Sequence, residues 1–247
     1  ENNGIYKSSE KEITHSMHFE PWEKGNRNSN YCLYKDKNGS LWFGDEKGNV
    51  LGINPMTHAT VTFQPHPEDT VPGTGTTAIK EMHLDSRNNL WIATQNGIMV
   101  YNYQSYKCIA YQPYSKEISK VTAICEDGDG TMWLGTEKGL CCAKQEGKQI
   151  KLITGYEAKA GLTPGRVLDL YLNNYNQLFV SYADKVIQID GKEKAISSTM
   201  ILQKDLSNGH ISCMVDDKNG NTWLGTNSGI ITVNNKNCLL YTSDAAD

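Results

Sequence analysis

The chain has 247 residues and a net charge of −4, with 24 Lys and Arg side chains against 28 Asp and Glu side chains. The basic residues are scattered, and the only arginines are Arg27, Arg87 and Arg166, so no basic stripe indicates binding to nucleic acid. No apolar run approaches the roughly 20 residues that a membrane helix needs, so we expect no membrane contact by this segment.

The first residues of the chain resemble the end of a motif that returns later. The opening "ENNGIYK" matches "QNGIMVY" around Gly97, which places Gly4 in the same register. In the later copies a tryptophan precedes this glycine by six residues. We therefore expect residues 1–20 to be the remnant of a repeat whose aromatic residue lies upstream of residue 1.

An aromatic motif of about 15 residues then recurs along the chain. Its clear copies begin "DKNGSLWFG" at Asp36, "DSRNNLWIA" at Asp85, "DGDGTMWLG" at Asp127 and "DKNGNTWLG" at Asp217, and a degenerate copy begins "NNYNQLFVS" at Asn173. The aromatic positions are Trp42, Trp91, Trp133, Phe179 and Trp223, which are 49, 42, 46 and 44 residues apart. A period in this range is typical of a repeat array or a propeller.

Each copy contains four short apolar segments that are separated by turn residues. In the third copy they are "VTAIC", "TMWLGT", "LCCAK" and "QIKLIT". Four antiparallel strands per repeat, with a period in the forties, predict an all-β fold, a partial β-propeller of about five blades. The predicted domain covers 1–237, with repeats near 30–64, 78–112, 120–155, 166–203 and 210–237.

The motif residues have structural explanations. Asn-Gly and Asp-Gly close tight hairpins, and the opening Asp can accept hydrogen bonds from backbone N–H groups two or three residues later. The Trp supplies apolar area between neighbouring blades. The glycines after the Trp turn the chain into the third strand; they are Gly48, Gly97, Gly139 and Gly229.

Other interpretations of the motif are weaker. "DGDG" resembles the start of a calcium loop, but the helices that flank such a loop and its Glu at position 12 are missing. The turn also resembles the hairpin of sialidases, whose arginine triad has no counterpart in the three dispersed arginines. The sequence contains no catalytic or metal-binding motif and indicates no cofactor.

The last residues and the cysteines need separate treatment. Residues 238–247, "CLLYTSDAAD", leave the repeat pattern and resemble translated sequencing-adapter read-through, so we expect a non-native tail. The cysteines form no C-x-x-C pair, and most lie in apolar strands, where a thiol packs as a small hydrophobic group. Cys141 and Cys142 are adjacent in a strand, so their side chains should point to opposite faces.

The signature, summarised as D-x-x-G-x-L-W-[ILF]-G-T-x-x-G, resembles the two-component regulator propeller repeat. Four copies carry it in register, whereas the copy at Asn173 departs through Phe179 and Lys185. The resemblance implies the periplasmic sensor region of a hybrid sensor histidine kinase, which detects an oligosaccharide and signals to transcription. It also implies further propeller blades, an immunoglobulin-like domain, a membrane helix and a kinase as partners in a longer chain.

The resemblance assigns no binding residue, because the repeat motif is scaffold. In a propeller, the loops from the fourth strand to the next blade share one face with the loops between the second and third strands. Sugar rings stack on aromatic side chains, so the ring-bearing residues of the first set of loops are the ligand candidates. They are Trp22, His66, Tyr114 and Tyr156. The alternative for each is a solvated or packing residue.

Three hypotheses for the function remain open at this point. The first is a ligand-sensing propeller of a hybrid sensor kinase, without an active site of its own. The second is an interaction propeller that serves a different output domain, such as a cyclase or a transcription factor. The third is a propeller lyase or hydrolase, which would need acid, base or metal groups converging on one face.

Overall fold

In the computed structural model the chain divides into two compact units, Glu1–Asn30 and Tyr31–Asp247. The residues that the structure describes are 5–9, 12–17, 32–65, 78–115, 119–201, 211–226, 229–234 and 239–244. In the first unit, β1 (Ile5–Ser9) pairs antiparallel with β2 (Glu12–Met17) across a bulge between Lys7 and Ser8.

The second unit contains five four-stranded antiparallel sheets in which consecutive strands pair, and these sheets are its blades. Blade 1 is β3 (Cys32–Lys35), β4 (Leu41–Gly44), β5 (Val50–Ile53) and β6 (Thr60–Phe63). Blade 2 is β7 (Ile79–Leu84), β8 (Asn89–Thr94), β9 (Gly97–Asn102) and β10 (Cys108–Pro113). Blade 3 is β11 (Val121–Glu126), β12 (Met132–Thr136), β13 (Gly139–Glu146) and β14 (Gln149–Ile153), followed by the one-turn helix α1 (Tyr156–Lys159).

Blade 4 is β15 (Asp169–Leu172), β16 (Gln177–Ser181), β17 (Lys185–Asp190) and β18 (Ala195–Ile201), and blade 5 is β19 (Ile211–Asp216), β20 (Asn221–Thr226), β21 (Gly229–Asn234) and β22 (Leu239–Asp244). The predicted all-β propeller with about five four-stranded blades is thus confirmed.

Residues 239–244, which belong to the tail that the sequence sets apart from the repeats, pair with β21 as β22. Among the described residues, no helix has the length and apolar character to span a bilayer.

The first strands of neighbouring blades pack against one another, so β3, β7, β11, β15 and β19 form the inner edge of the array. In blades 1 to 4 the aromatic residue of the second strand lies between its own blade and the next one. Trp133 shares a buried cluster with Val167 and Leu170 of blade 4, and Phe179 shares one with Ile211 of blade 5. Each apolar core therefore belongs to two consecutive blades.

The five aromatic side chains differ in exposure only at the last blade. Trp42, Trp91, Trp133 and Phe179 are at most 1% exposed, whereas Trp223 is 37% exposed. Val215 and Ile230, on the same sheet as Trp223, are also exposed. Blade 5 thus presents an apolar face of the kind that the other blades bury.

The opening Asp of each clear repeat holds both its turn and its tryptophan. The Asp127 Oδ1 atom accepts hydrogen bonds from the backbone N–H groups of Asp129 and Thr131, each at 3.0 Å, and Oδ2 accepts one from the Trp133 indole at 2.8 Å. The sequence predicts backbone donors two or three residues later. The donors are in fact two and four residues later, because the N–H of Gly130, three residues later, donates to the Asp127 backbone carbonyl at 2.9 Å.

The degenerate repeat replaces the Asp–Trp pair as a unit. Phe179 has no N–H to donate, and Asn173 keeps the two backbone bonds of its turn through Oδ1, to Tyr175 and Gln177 at 3.0 and 2.9 Å. An Asp at this position would have a second carboxylate oxygen and no indole to bind it. The Nδ2 group of Asn173 donates to the Gln177 side chain at 2.8 Å instead. The two substitutions therefore compensate one another.

The cysteines in the described ranges are free thiols, and the adjacent pair in β13 lies as expected on opposite faces. Cys141 belongs to the core between blades 2 and 3, whereas Cys142 belongs to the core between blades 3 and 4. Burial raises the pKa of the Cys141 thiol to about 12 and also raises that of Cys142. Both thiols are therefore protonated packing groups at neutral pH.

Candidate functional site: a pocket at the junction of three blades

The starts of the first strands and the turns between second and third strands lie at the same end of the blades. In blade 3 the register pairs Val121 with Thr136, so Lys120 lies beside the turn that follows β12. A backbone hydrogen bond of 3.0 Å from Glu137 to the Lys120 carbonyl joins them. Blade 4 joins the same junction, because the Val167 N–H donates to the Thr136 carbonyl at 2.9 Å.

A pocket of about 400 Å³ opens where blades 2, 3 and 4 meet at this end. Its polar lining side chains are three cations and one carboxylate, together with hydroxyl and amide groups; they are Lys80, Lys120, Arg166, Glu137, Thr94, Gln95 and Thr122. The apolar lining residues are Val121 and Val167, which are buried, and Leu168. The lining is thus mostly polar and charged, which suits a polar ligand.

The walls of the pocket are fixed by hydrogen bonds between and within blades. Thr122 donates its hydroxyl to the Val167 carbonyl at 2.8 Å, which ties β11 to the residues before β15. Thr94 donates its hydroxyl to the Gly97 carbonyl at 3.0 Å and thereby closes the turn that carries Gln95. The side chains of Lys80, Lys120 and Arg166 lie on these walls, are exposed, and make no hydrogen bond or ion pair with any described residue.

A buried carboxylate anchors the connection that carries Arg166. Glu157 of α1 is 1% exposed, and its Oε1 atom accepts the Leu140 N–H at 2.6 Å and the Tyr182 hydroxyl at 2.8 Å. Leu140 belongs to blade 3 and Tyr182 follows the second strand of blade 4. The loop from blade 3 to blade 4 is therefore clamped to both blades shortly before it reaches Arg166.

Two acidic residues, Glu81 and Asp169, directly follow the pocket residues Lys80 and Leu168 in the sequence. Burial, with the negative charge of Asp169 as a smaller cause, raises the pKa of Glu81 to about 7, and burial raises the pKa of Asp169 as well. The Glu81 carboxyl also accepts the Met82 N–H at 3.1 Å. Glu81 thus exchanges its proton near neutral pH.

This pKa has a consequence for stability that Glu81→Gln tests. Because the folded-state pKa lies above the ordinary 4.5, the folded protein holds more protons than the unfolded chain, and stability falls as pH rises from about 4.5 to 7. Removing the buried charge is expected to raise the free energy of unfolding by about 1–3 kcal/mol at about pH 8 and to change it little near pH 4.5.

Urea unfolding, followed by tryptophan fluorescence between about pH 5 and 8, measures the effect. Glu193→Gln removes an exposed carboxylate from the turn between β17 and β18 and serves as the control. An equal stability gain at all pH values, or the same pH dependence in both variants, would show that Glu81 does not carry the effect.

The two aromatic candidates that the structure describes, Tyr114 and Tyr156, do not line the pocket. Trp22 and His66 lie outside the described residues. Tyr114 is half-buried, its hydroxyl accepts the Val121 N–H at 3.1 Å, and burial raises its pKa to about 12. Tyr156 packs edge-on against Trp133 at 4.9 Å, with its hydroxyl 2.7 Å from the Cys142 sulfur. Both described tyrosines thus make contacts within the propeller, and their role as ligand residues stays a prediction.

The pocket cations are not among the residues predicted from the sequence, because that prediction rests on ring-bearing side chains. Lys120 and Arg166 occupy the same repeat position, immediately before the buried Val121 and Val167 that begin the inner edge of their blades. Aligning the repeats at that valine would have placed two cations at one face. Lys80 lies two positions further along in blade 2 and carries no such signal.

The sequence matches the family model of the two component regulator propeller at residues 24–47, 117–138 and 205–228. No curated protein matches the chain at a significant level. Among the described residues, no group of three or more His, Cys, Asp or Glu side chains is placed to hold a metal ion.

Solved structures with the same fold include extracellular domains of putative hybrid two component systems from B. thetaiotaomicron. The BT3049 domain is 24% identical with a TM-score of 0.64, over 86% of this chain and 28% of that one. The BT4673 domain is 21% identical with a TM-score of 0.65, over 87% of this chain and 29% of that one. The present chain therefore spans less than a third of the length of these domains.

Propellers with other functions are also similar in fold. A catalytically inactive virginiamycin B lyase from Staphylococcus aureus is 13% identical with a TM-score of 0.64, over 90% of this chain and 72% of that one. Identities this low establish a common fold, whereas the motif matches identify the repeat. The chain thus has a β-propeller fold, and three stretches of it match the model of the two component regulator propeller.

Proposed function

We propose that this chain is the ligand-sensing portion of an extracytoplasmic propeller in a hybrid two-component sensor histidine kinase, and that its ligand is an oligosaccharide. The observation that carries the proposal is the pocket at the junction of blades 2, 3 and 4. It combines basic side chains from three blades with hydroxyl and amide groups, and these basic side chains make no hydrogen bond or ion pair with any described residue. The fold shared with extracellular domains of hybrid two component systems supports the cellular context.

A sensor needs a ligand site that is connected to its framework. The pocket meets this need, because its lining residues belong to the same strands and turns that hold neighbouring blades together. A ligand that bridges Gln95, Lys120 and Arg166 would contact blades 2, 3 and 4 at once. Such binding would stabilise one relative arrangement of the blades, which is how a ligand shifts a conformational equilibrium.

The exposed face of blade 5 supports a longer propeller. Trp223 occupies the repeat position at which Trp42, Trp91 and Trp133 are buried by the following blade, and it is 37% exposed. We propose that a further blade of the same repeat packs on this face. The immunoglobulin-like domain, membrane helix and kinase that the repeat family implies would complete the sensor and give the signal to transcription.

Binding to a panel of neutral and acidic oligosaccharides, measured by isothermal titration calorimetry, tests the proposal. At least one saccharide is expected to bind the 247-residue chain, and Gln95→Trp, which fills the pocket without changing charge, should abolish binding. Asn38→Trp, in an exposed turn at the opposite end of blade 1, is the matched control and should bind normally. Chromatography of the same mixtures checks for product.

The outcomes separate the three functional hypotheses. Binding that Gln95→Trp abolishes and that yields no product supports a sensor. Release of a cleaved saccharide would contradict it in favour of a lyase or hydrolase. Binding that persists in Gln95→Trp, or no binding by any saccharide, would contradict the pocket as a sensing site and favour a propeller that interacts with other proteins.

A further inference from the structure

Three basic side chains converge on the pocket from three different blades. Lys80 belongs to β7, Lys120 precedes β11 and Arg166 precedes β15, and all three line the same 400 Å³ space. Glu137 is the only acidic side chain among the lining residues. The pocket is thus strongly basic on a chain whose net charge is −4.

The basic side chains have no structural task among the described residues. Two other lysines do have a structural role, because each binds a group of a neighbouring blade. Lys194 of blade 4 contacts both Asp127 and Asp129 of blade 3. Lys37 of blade 1 donates to the Asp85 carbonyl of blade 2 at 2.7 Å. Lys80, Lys120 and Arg166 make no such bond. Like charges placed together repel one another, so their arrangement costs stability unless a ligand neutralises it.

The neighbouring acidic groups do not neutralise the pocket. Glu81 and Asp169 directly follow Lys80 and Leu168 in the sequence, but neither lines the pocket. Glu137 alone leaves an excess of positive charge.

We infer that the pocket recognises an anionic saccharide, with Lys80, Lys120 and Arg166 binding its acidic group. This inference rests on the proposed function, which names an oligosaccharide as the ligand. It adds that the oligosaccharide carries a negative charge. A guanidinium group binds a carboxylate or sulfate through two parallel hydrogen bonds, while a lysine supplies a point charge. Thr94, Thr122, Gln95 and Glu137 offer hydrogen-bond partners for sugar hydroxyls.

Trigalacturonic acid, its methyl ester and a sulfated chondroitin disaccharide are the probes. The first two differ only in the charge of their carboxyl groups, and the third tests sulfate as the source of the anion. We expect at least one acidic probe to bind the wild-type chain and the ester to bind about tenfold or more weakly. Raising NaCl from about 50 to 500 mM should weaken acidic-probe binding severalfold, because salt screens exposed charges.

The variant Lys120→Gln/Arg166→Gln tests the residues. It should weaken binding of the acidic probe by about a hundredfold, since each hydrogen bond to a charged group contributes about a factor of ten. Lys107→Gln/Lys151→Gln removes the same charge from exposed positions outside the pocket and should bind the probe within about twofold of wild type at 150 mM salt. Thermal unfolding of both variants checks that the fold is intact.

Three results would overturn the inference, and they differ in what they say about the proposed function. If neutral saccharides bind and Gln95→Trp blocks them while no acidic probe binds, the sensing function stands and the charge assignment is wrong. If an acidic probe binds equally well to both double variants, its site is elsewhere. If no saccharide of either charge binds, the proposed function and the inference fail together.

Discussion

Replacement of Trp133 by alanine is expected to lower the free energy of unfolding by about 3–5 kcal/mol, as is typical for a buried aromatic residue. The indole is fully buried between blades 3 and 4 and contacts the Tyr156 ring edge-on. Its N–H satisfies one oxygen of Asp127, whose side chain is also fully buried. The substitution therefore removes a large apolar area and leaves a carboxylate oxygen with one donor fewer.

Trp223→Ala is the matched control for this prediction. Trp223 donates to Asp217 at 2.8 Å, the same distance at which Trp133 donates to Asp127, but its side chain is 37% exposed. Its loss is expected to cost about 1 kcal/mol. Urea unfolding of the two variants gives the comparison, and equal costs would mean that the hydrogen bond, rather than packing between blades, accounts for the role of the aromatic residue.

Glu157→Leu is expected to destabilise the chain by about 2–4 kcal/mol. The leucine would fill the space but would leave the Leu140 N–H and the Tyr182 hydroxyl without their common acceptor. The same variant should weaken ligand binding in the pocket, because the clamp that Glu157 forms precedes Arg166 in the loop. Urea unfolding and calorimetric titration measure the two effects separately.

A double-mutant cycle isolates the Glu157 contact. Tyr182→Phe alone removes the hydroxyl and should cost about 1 kcal/mol, and the double variant should be less destabilised than the two costs added together. Glu157→Gln keeps an acceptor of the same shape and should be the mildest change. Additive costs would indicate that Glu157 acts through a contact other than the Tyr182 hydroxyl.

The fold could be predicted from the sequence because the same strand and turn signals recur in each repeat. Four copies place an Asp, a turn residue and a Trp in the same register, and apolar strands flank them. Hairpins are local structures, so the strand order within a blade follows from the order along the chain. The degenerate copy at Asn173 was assigned to the same architecture because Phe179 keeps the spacing.

The pocket could not be predicted in the same way, because it depends on contacts between blades. Strand direction predicts which face of the propeller carries the loops between blades. It does not predict the pocket, because Lys80, Lys120 and Arg166 come from three separate blades that must first pack side by side. Nor does the sequence reveal that Tyr114 and Tyr156 use their hydroxyls internally. A tyrosine in a loop has the same sequence signature whether it packs under the loop or faces a ligand.

The adjacent thiols of β13 provide a chemical readout of cooperativity. Cys141 and Cys142 are covalent neighbours, yet one is shielded by the contact between blades 2 and 3 and the other by the contact between blades 3 and 4. A thiol reagent can reach each sulfur only when its own interface separates. Different alkylation rates for the two cysteines would show that the two neighbouring interfaces open independently. Equal rates would indicate that both interfaces open in a single concerted event.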